Sequence, residues 1–495
     1  MGMDLKCVHV GRRDFIKTTT LAGMAATLPV TSLLAQEPRG ALKPSPQGKK
    51  RRLIFLTDTP PAYNQITESI RAIKEYEFEI TPVVFNPQKV QEAGNSIREI
   101  KDADILFIIL PRVTTSSGNI PAALGDLDIP IVLLPVNLDL IMLESDMAAH
   151  FRARGANAML ANSQAHAIEL IKIAAAPRIL EGKKIVIYGR PFDSSSIPAR
   201  NLSEEFVYKR TGARIQYRPV DELKPLLAGV SEESARKEME RWKKEAVQVT
   251  EASDQAILDA SRLYILLRSI VDKEGLSGIS IDCLGFSFTA NPILPYPCLS
   301  FTRLRDEGIT APCEADVCAG LSSMVLQEIS QKPSYFCNVS AVDEQKSSAV
   351  LRHCVAPLKL MGREAPQLPY NLRDYHGMGR GVTPEVQFPV GVEVTMGGFN
   401  KDFSNFVLWP GRTIARVKDT DRPSFENAPP AYAKMRRYCS NHLEVTIKDM
   451  NQFLQGIAGC HHAMVAGSYT NDVRNAMMRM NVRIVGPSDM TTPKA

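Results

Sequence analysis

The sequence lacks several features that are typical of membrane proteins, nucleotide-dependent proteins and nucleic-acid-binding proteins. After residue 36 it has no run of 18 or more uncharged apolar residues, so no membrane-spanning helix is predicted there. It has no Gly-x-Gly-x-x-Gly motif after its first predicted strand, which argues against a nucleotide cofactor. The formal net charge of +5 over 495 residues is too small to favour nucleic acid as a partner.

The first 36 residues have the features of an export signal. Gly11-Arg-Arg-Asp-Phe-Ile-Lys17 pairs two arginines with a closing lysine, and the mildly apolar residues 18–35 follow. Ala35 ends an acceptable small-residue cleavage site. The pattern resembles a twin-arginine signal peptide over residues 1–36, with an uncleaved membrane anchor as the alternative. It predicts export to the periplasm or extracellular space, with the twin-arginine translocase as a transient partner.

Eight of the nine cysteines fall between Cys283 and Cys460. An even number in an exported chain would suit disulfides, but disulfide frameworks belong mainly to small secreted domains. A twin-arginine substrate is also expected to fold in a reducing compartment. We therefore predict cysteines that are mostly free and buried.

The order of apolar runs predicts two doubly wound α/β domains with parallel sheets, followed by a β-rich domain. After a linker over residues 37–50, near-continuous apolar runs such as Ala103–Leu110 predict buried parallel strands between helices. From about residue 345, short strand-like runs alternate with turn residues. The predicted domains span residues 51–172, 173–344 and 345–495.

A carboxylate and three histidines stand where chemistry is plausible. Pro312 can open a helix, which would put Glu314 in the first turn. The alternative to a chemical role is that the Glu314 carboxylate only stabilises the helix start through the helix dipole. His353 ends a predicted strand, and His461 and His462 follow Ala-Gly-Cys. The polar loop Gly189–Ser196 follows a predicted strand, and a solvated loop is favoured there over one that closes on a ligand.

Four short motifs in order resemble the L-fucose/L-arabinose isomerase family. The resemblance covers roughly residues 280–490, whereas the first half agrees in architecture only. It implies two α/β domains and a β-rich domain, assembled as a trimer or hexamer. The motifs are Glu314-Ala-Asp-Val317, Pro333-Ser-Tyr-Phe-Cys-Asn338, Leu351-Arg-His-Cys354 and Gly459-Cys-His-His462.

The resemblance implies an intramolecular oxidoreductase that interconverts an aldose and a ketose through an ene-diolate. The substrate would be a free sugar or a sugar derivative, and a divalent cation such as Mn²⁺ would stabilise the developing oxyanion. Carried over by motif, Glu314 and Asn338 are the catalytic residues. The implied metal ligands are Glu314, Asn338, His353 and His462.

Asn338 departs from the family pattern, which has an aspartate at this place in the fucose isomerase branch. An asparagine can offer its carbonyl oxygen to a cation but cannot exchange a proton. Either another carboxylate replaces it, with Asp316 and Asp343 the nearest in sequence, or the chemistry differs or is lost. The alternatives are an exported carbohydrate-binding protein on the same scaffold, or an exported enzyme of another class with the same metal pocket.

Overall fold

In a computed structural model, the structure describes residues 50–490, apart from residues 60–62, 101, 111–117, 290, 416–434, 436 and 489. The predicted signal peptide and linker lie outside the described residues, apart from the linker's last residue, Lys50, which begins the first strand. Among the described helices none is long and apolar enough to cross a membrane.

The first sheet has five parallel strands in the order β2-β1-β3-β4-β5. Ile105 and Phe107 of β3 pack on one face of the sheet, and Leu106 and Ile108 pack on the other. Both faces are therefore covered by helices, as the continuous apolar runs predict. The strands are β1 (Lys50–Thr57), β2 (Glu77–Val84), β3 (Ile105–Ile109), β4 (Ile131–Leu133) and β5 (Ala158–Leu160). The helices are α1 (Asn64–Arg71), α2 (Val90–Glu99), α3 (Asn119–Leu124), α4 (Met142–Ala153) and α5 (Gln164–Ala175).

A second parallel sheet follows in the order β7-β6-β9, with β6 (Lys184–Tyr188), β7 (Arg214–Arg218) and β9 (Gly278–Ile281). Two long helices of this region are separated by an extended segment that contains β8 (Gln248–Val249). Ser231 and Ser253 accept hydrogen bonds from the backbone at the two helix starts, so each helix has its own cap. The helices are α6 (Glu204–Thr211), α7 (Leu223–Ala228), α8 (Glu232–Glu245), α9 (Asp254–Glu274), α10 (Leu284–Ser287), α11 (Cys298–Asp306) and α12 (Val317–Ser330).

The last sheet is closed into a barrel. Its order is β14-β17-β10-β11-β16-β15-β18, and β14 also pairs with β15, which joins six strands into a ring. Pairs are antiparallel except β15 with β18. Its strands are β10 (Tyr335–Asp343), β11 (Ser348–His353), β14 (Glu393–Phe399), β15 (Asn405–Ala415), β16 (Asn441–Thr446), β17 (His461–Ala466) and β18 (Arg483–Val485). Also described are β12 (Tyr370–Arg373), β13 (Thr383–Val386), α13 (Met450–Gly456) and α14 (Thr470–Arg479).

The predicted fold class is confirmed in outline: parallel sheets with helices precede a β-rich barrel. The barrel strand β10 begins at Tyr335, ahead of residue 345, where the β-rich domain was predicted to start. The exact domain boundaries stay a prediction. The eight cysteines from Cys283 to Cys460 are free and five of them are buried, as expected.

The end of the chain returns to the first sheet's helices. The side-chain amide of Asn157 donates to the carbonyl oxygen of Met478 at 2.7 Å, and the Arg479 guanidinium donates to the carbonyl oxygen of Ala176 at 2.6 Å. Asn481 donates to the carbonyl oxygen of Gly155 at 3.2 Å. These bonds join positions more than 300 residues apart in sequence.

Candidate metal centre

Glu314 does not lie in a helix, so the helix predicted to open at Pro312 is wrong. Glu314 and Ala315 both have left-handed backbones, with φ of 62° and 54°. Two such residues in succession are incompatible with a right-handed helix. The helix begins instead at Val317, where the Asp316 side chain caps it by accepting from the backbone N–H of Ala319 at 2.8 Å. Strained backbone of this kind is concentrated at functional sites.

The turn brings the Glu314 carboxylate between two imidazoles. Its oxygens lie 3.5 Å from Nε2 of His353 and 3.7 Å from Nε2 of His461. One ligand atom from each of the three residues falls within 4.8 Å of the others. The three come from separate elements: the turn before α12, the end of β11 and the start of β17. One carboxylate and two imidazoles are a common set of ligands for a divalent metal ion.

His461 is oriented for ligation by Asp316. The Asp316 carboxylate lies 2.9 Å from Nδ1 of His461, and both side chains are buried. A carboxylate accepts only, so Nδ1 carries a proton and Nε2 is the ring nitrogen that faces Glu314. Metal-bound histidines are usually held in this way, by a hydrogen bond from the ring nitrogen that does not bind the metal.

His353 has the opposite arrangement. The backbone N–H of Val355 points at its Nδ1 over 3.4 Å, so in the neutral ring Nε2 carries the proton and faces Glu314. Without a cation, His353 therefore donates to the carboxylate. Ligation through Nε2 of either histidine requires a proton to leave, and His461 differs from His353 in that a carboxylate holds its Nδ1.

The charges of the centre reinforce one another. Burial alone would raise the pKa of Glu314, but the hydrogen bond from His353 and the charge of His461 hold it below its usual range. Burial would lower the pKa of His461, yet Asp316 and Glu314 raise it well above the usual value. Burial lowers the pKa of His353 to about 4. Glu314 is thus ionised at neutral pH, and the centre can balance a cation.

Aromatic rings form the walls of the centre. The Phe336 ring lies 4.6 Å from the ring of His461 and 4.9 Å from that of His353, measured between centroids. Phe192 lies 4.7 Å from His461 on another side. Phe192 belongs to the loop Gly189–Ser196, so the solvated loop favoured by the sequence is wrong at this residue.

Asp282 follows β9 and adds another carboxyl group beside the turn. Its oxygens accept from the backbone N–H of Gly285 at 3.0 Å and from that of Arg190 at 3.4 Å. Burial, and in smaller part the charge of Glu314, raise the pKa of Asp282 above its usual value. Gly189 has φ of 96°, and a Cβ there would lie 2.7 Å from Cβ of Asp282, so glycine is required for the loop to pass this group.

The structure separates His462 from the other residues implied by the resemblance. In the pairing of β10 with β17, His462 lies opposite Cys337, whereas His461 lies opposite Asn338. Successive residues of a strand point to opposite faces, so the two histidines face opposite sides. His462 is fully buried, and burial lowers its pKa to about 4.

Asn338 shares a face of the sheet with His461, because directly paired residues of antiparallel strands do so. It thus lies beside the centre, although no hydrogen bond of its side chain to Glu314, His353 or His461 is found in the described part of the chain. Of the two substitutes considered, Asp316 is at the centre. Asp343 lies at the far end of β10, half-buried and 3.3 Å from Lys346.

Sequence reasoning did not assign roles to His461, Phe192 or Asp282. The His461-His462 pair was visible, but strand register decides which of the two faces Glu314, and register is not encoded in two adjacent letters. The contact between Asp316 and His461 had one signal in the sequence, which is that Asp316 stands two residues after Glu314.

Comparison with known proteins gives one distant relative. No family model matches the chain. A sulfoquinovose isomerase from Alkalicoccus urumqiensis is 26% identical over 133 residues, which are 26% of this chain and 30% of that relative. The chain thus matches less than a third of the relative's length. The similarity agrees with the sugar isomerase class, and the narrower assignment to L-fucose/L-arabinose isomerases stays a prediction.

Proposed function

We propose that this protein is a metal-dependent aldose–ketose isomerase that acts on a free sugar or a sugar derivative. The observation that carries the proposal is the convergence of Glu314, His353 and His461 from three elements, with Asp316 fixing the ring of His461. The relative's name makes sulfoquinovose one substrate to test.

The residues present fit a divalent cation. Glu314, His353 and His461 would hold it, with His461 in the place that the resemblance gave to His462. A bound cation of this kind stabilises negative charge that develops on a substrate oxygen. Two imidazoles and one carboxylate suit Mn²⁺, and Fe²⁺ or Zn²⁺ equally by donor type, so metal analysis must cover all three.

Two carboxyl groups with opposite pKa shifts supply the proton transfers. An isomerase moves a proton between adjacent carbons, which requires a base near carbon and an acid near oxygen. Glu314, whose pKa is lowered, is assigned as the base, and Asp282, whose pKa is raised and whose carboxyl group lies beside the turn, is assigned as the acid. In this scheme Asn338 moves no proton and donates a hydrogen bond to the substrate.

Phe192 and Phe336 shield the reacting groups from water. Both rings pack on His461, and Phe336 also packs on His353. Excluding water strengthens the interaction between the carboxylate and the charge that develops on the substrate. The loop that carries Phe192 is anchored at the centre, where the backbone N–H of Phe192 donates to the carbonyl oxygen of Ala315 at 3.3 Å.

One observation favours a second function, a carbohydrate-binding protein without turnover. Asn338 stands where the fucose isomerase branch has an aspartate, and an amide cannot exchange a proton. If Asp282 does not act as the acid, the centre retains a cation and a sugar but does not isomerise it.

The test measures metal content and turnover of the purified protein. We expect a stoichiometric divalent ion that is lost in His461→Asn and retained in His462→Asn, the matched variant on the other face of β17. We expect interconversion of an aldose and a ketose, in a panel that includes sulfoquinovose, to fall about 10²–10⁴-fold in Glu314→Gln. Circular dichroism checks that each variant is folded.

Three results would change the conclusion. A protein that stays free of metal after Mn²⁺, Fe²⁺ and Zn²⁺ are supplied contradicts the proposal. Loss of metal in His462→Asn with retention in His461→Asn contradicts the assignment of the ligands. Metal and sugar binding without turnover on the whole panel selects the carbohydrate-binding function.

A further inference from the structure

A second group of metal-ligating side chains lies outside the candidate centre. Sγ of Cys354 is 3.1 Å from Nε2 of His376 and 3.5 Å from Sγ of Cys439. One ligand atom from each of the three falls within 4.8 Å of the others. They come from the residue after β11, the turn after β12, and the segment before β16. We call these three residues the thiol cluster.

His376 is held with one ring nitrogen free for the sulfurs. Its Nδ1 lies 3.2 Å from the carbonyl oxygen of Arg437, which can only accept, so Nδ1 carries the proton. The Nε2 lone pair therefore faces Cys354. His376 also has a left-handed backbone, with φ of 56°. A strained residue whose ring is fixed through its other nitrogen is the usual preparation of a histidine ligand.

The segments that carry His376 and Cys439 are fastened to each other. The backbone N–H of Arg437 donates to the carbonyl oxygen of His376 at 3.3 Å, and the Arg437 guanidinium pairs with the carboxylates of Asp374 and Glu251. The charge of Arg437 is balanced by these partners. The thiol cluster is therefore preorganised, and the two carboxylates pair with Arg437 and Arg373 rather than with the cluster.

The burial of the thiol cluster determines which charge a bound cation should carry. Cys354 and His376 are buried, and the Tyr375 ring lies 4.2 Å from the His376 ring. A buried site is stable only if its charges cancel. Two thiolates and one neutral imidazole carry a charge of about −2 and are cancelled by one divalent cation, whereas a monovalent cation leaves a residual charge.

We propose that Cys354, His376 and Cys439 form a site for a thiophilic divalent cation, Zn²⁺ or an ion of the same chemistry. Two sulfurs and one imidazole are the ligands that such ions prefer, and a fourth position is left for water or a further group. Binding replaces the two thiol protons, which are released to solvent. The ion would join the end of β11 to the segment before β16.

The proposed site does not depend on the proposed isomerase activity. Its ligand atoms differ from those of the candidate centre in chemistry and in residue, although Cys354 directly follows His353. The candidate centre offers one oxygen and two nitrogen ligands, whereas the thiol cluster offers two sulfurs and one nitrogen, so thiolate-to-metal charge transfer reports on the thiol cluster alone.

The test is a titration of the metal-stripped, reduced protein with Co²⁺, a spectroscopic probe for Zn²⁺ sites. We expect one equivalent to give thiolate-to-cobalt charge-transfer absorption, and Zn²⁺ to displace it. The absorption should disappear in Cys439→Ser and in Cys354→Ser. It should remain in Cys460→Ser, the exposed matched control, and in Glu314→Gln, which removes a ligand of the candidate centre instead.

Several results would overturn the proposal. No charge-transfer absorption in the reduced wild type excludes thiolate ligation. Undiminished absorption in Cys439→Ser assigns the ion to other sulfurs. A Cys354–Cys439 disulfide found by mass spectrometry, with no Zn²⁺ bound after reduction, makes the pair a redox couple instead. Because Cys439 is only partly buried, its serine variant is expected to fold, and circular dichroism checks this.

Discussion

The first sheet and the barrel region bury very different side chains. Among the described residues up to 175, the buried polar side chains are Arg51 and Thr57. The region from β9 to β17 buries charged and imidazole groups throughout: Arg303, Arg305, Asp306, Asp316, Arg352, His353, Asp374, His376, Glu444, His461 and His462. The core of the first region is apolar, and the second region keeps costly groups that only pairing or function can retain.

Arg303 illustrates the pairing that a buried charge requires. Its guanidinium lies 2.8 Å from a carboxylate oxygen of Glu238 and 2.7 Å from one of Glu245, and it stacks over the Trp242 ring at 3.9 Å. His376 and Cys354 have no comparable carboxylate partner among the described contacts. The presence or absence of a carboxylate partner therefore distinguishes buried groups with a structural role from buried groups that are available to a ligand.

The largest expected effect on stability lies in the apolar region. Leu106 is fully buried at the centre of the first sheet. Replacing it with alanine is predicted to lower the free energy of unfolding by about 2–5 kcal/mol, because a cavity remains. Urea denaturation measures the loss, and metal content of the folded protein should not change. A fall in metal content of folded Leu106→Ala would show that the two regions are not independent.

A smaller effect is expected from the group that orients His461. Asp316→Asn keeps the shape of the side chain but removes its charge, so His461 loses the carboxylate that fixes its tautomer. We expect metal affinity to fall about 10–100-fold, measured by titration against a competing chelator. Asp343→Asn, on the exposed end of β10, is the matched control and should bind as wild type does.

Per pH unit, the smallest expected effect is a pH dependence confined to the polar region. Burial raises the pKa of Asp306 to about 7, although its carboxylate accepts from the backbone N–H of Lys359 at 2.9 Å. Between about pH 4 and pH 7 the unfolded chain has lost this proton and the folded protein keeps it. The unfolding free energy contributed by Asp306 therefore falls as pH rises, by about 1.4 kcal/mol per pH unit.

Asp306→Asn should remove that slope. Denaturation of wild type and variant at several pH values within this window gives the difference between their free energies of unfolding. The contributions of the other titrating groups cancel in that difference. Equal slopes in wild type and variant would mean that Asp306 is ionised in the folded protein.

The same contrast explains what the sequence could predict. Buried strands such as β3 were predictable because five consecutive apolar residues fit a sheet covered on both faces. Glu314 and His353 were predictable as chemical residues. The choice of His461 over His462 depends on strand register, and the Asp316 contact depends on two left-handed residues that no periodicity reveals. The thiol cluster needs three segments that meet only in the folded chain.

The bonds between the end of the chain and the first sheet's helices bear on the order of events during synthesis. Asn157 and Ala176 emerge from the ribosome roughly 300 residues before their partners near Arg479. The first sheet can form early from local contacts, but its attachment must wait until α14 has been synthesised. A protein truncated before α14 should therefore keep its first sheet and lose that attachment, which makes α14 a marker of the docking of the first sheet's helices.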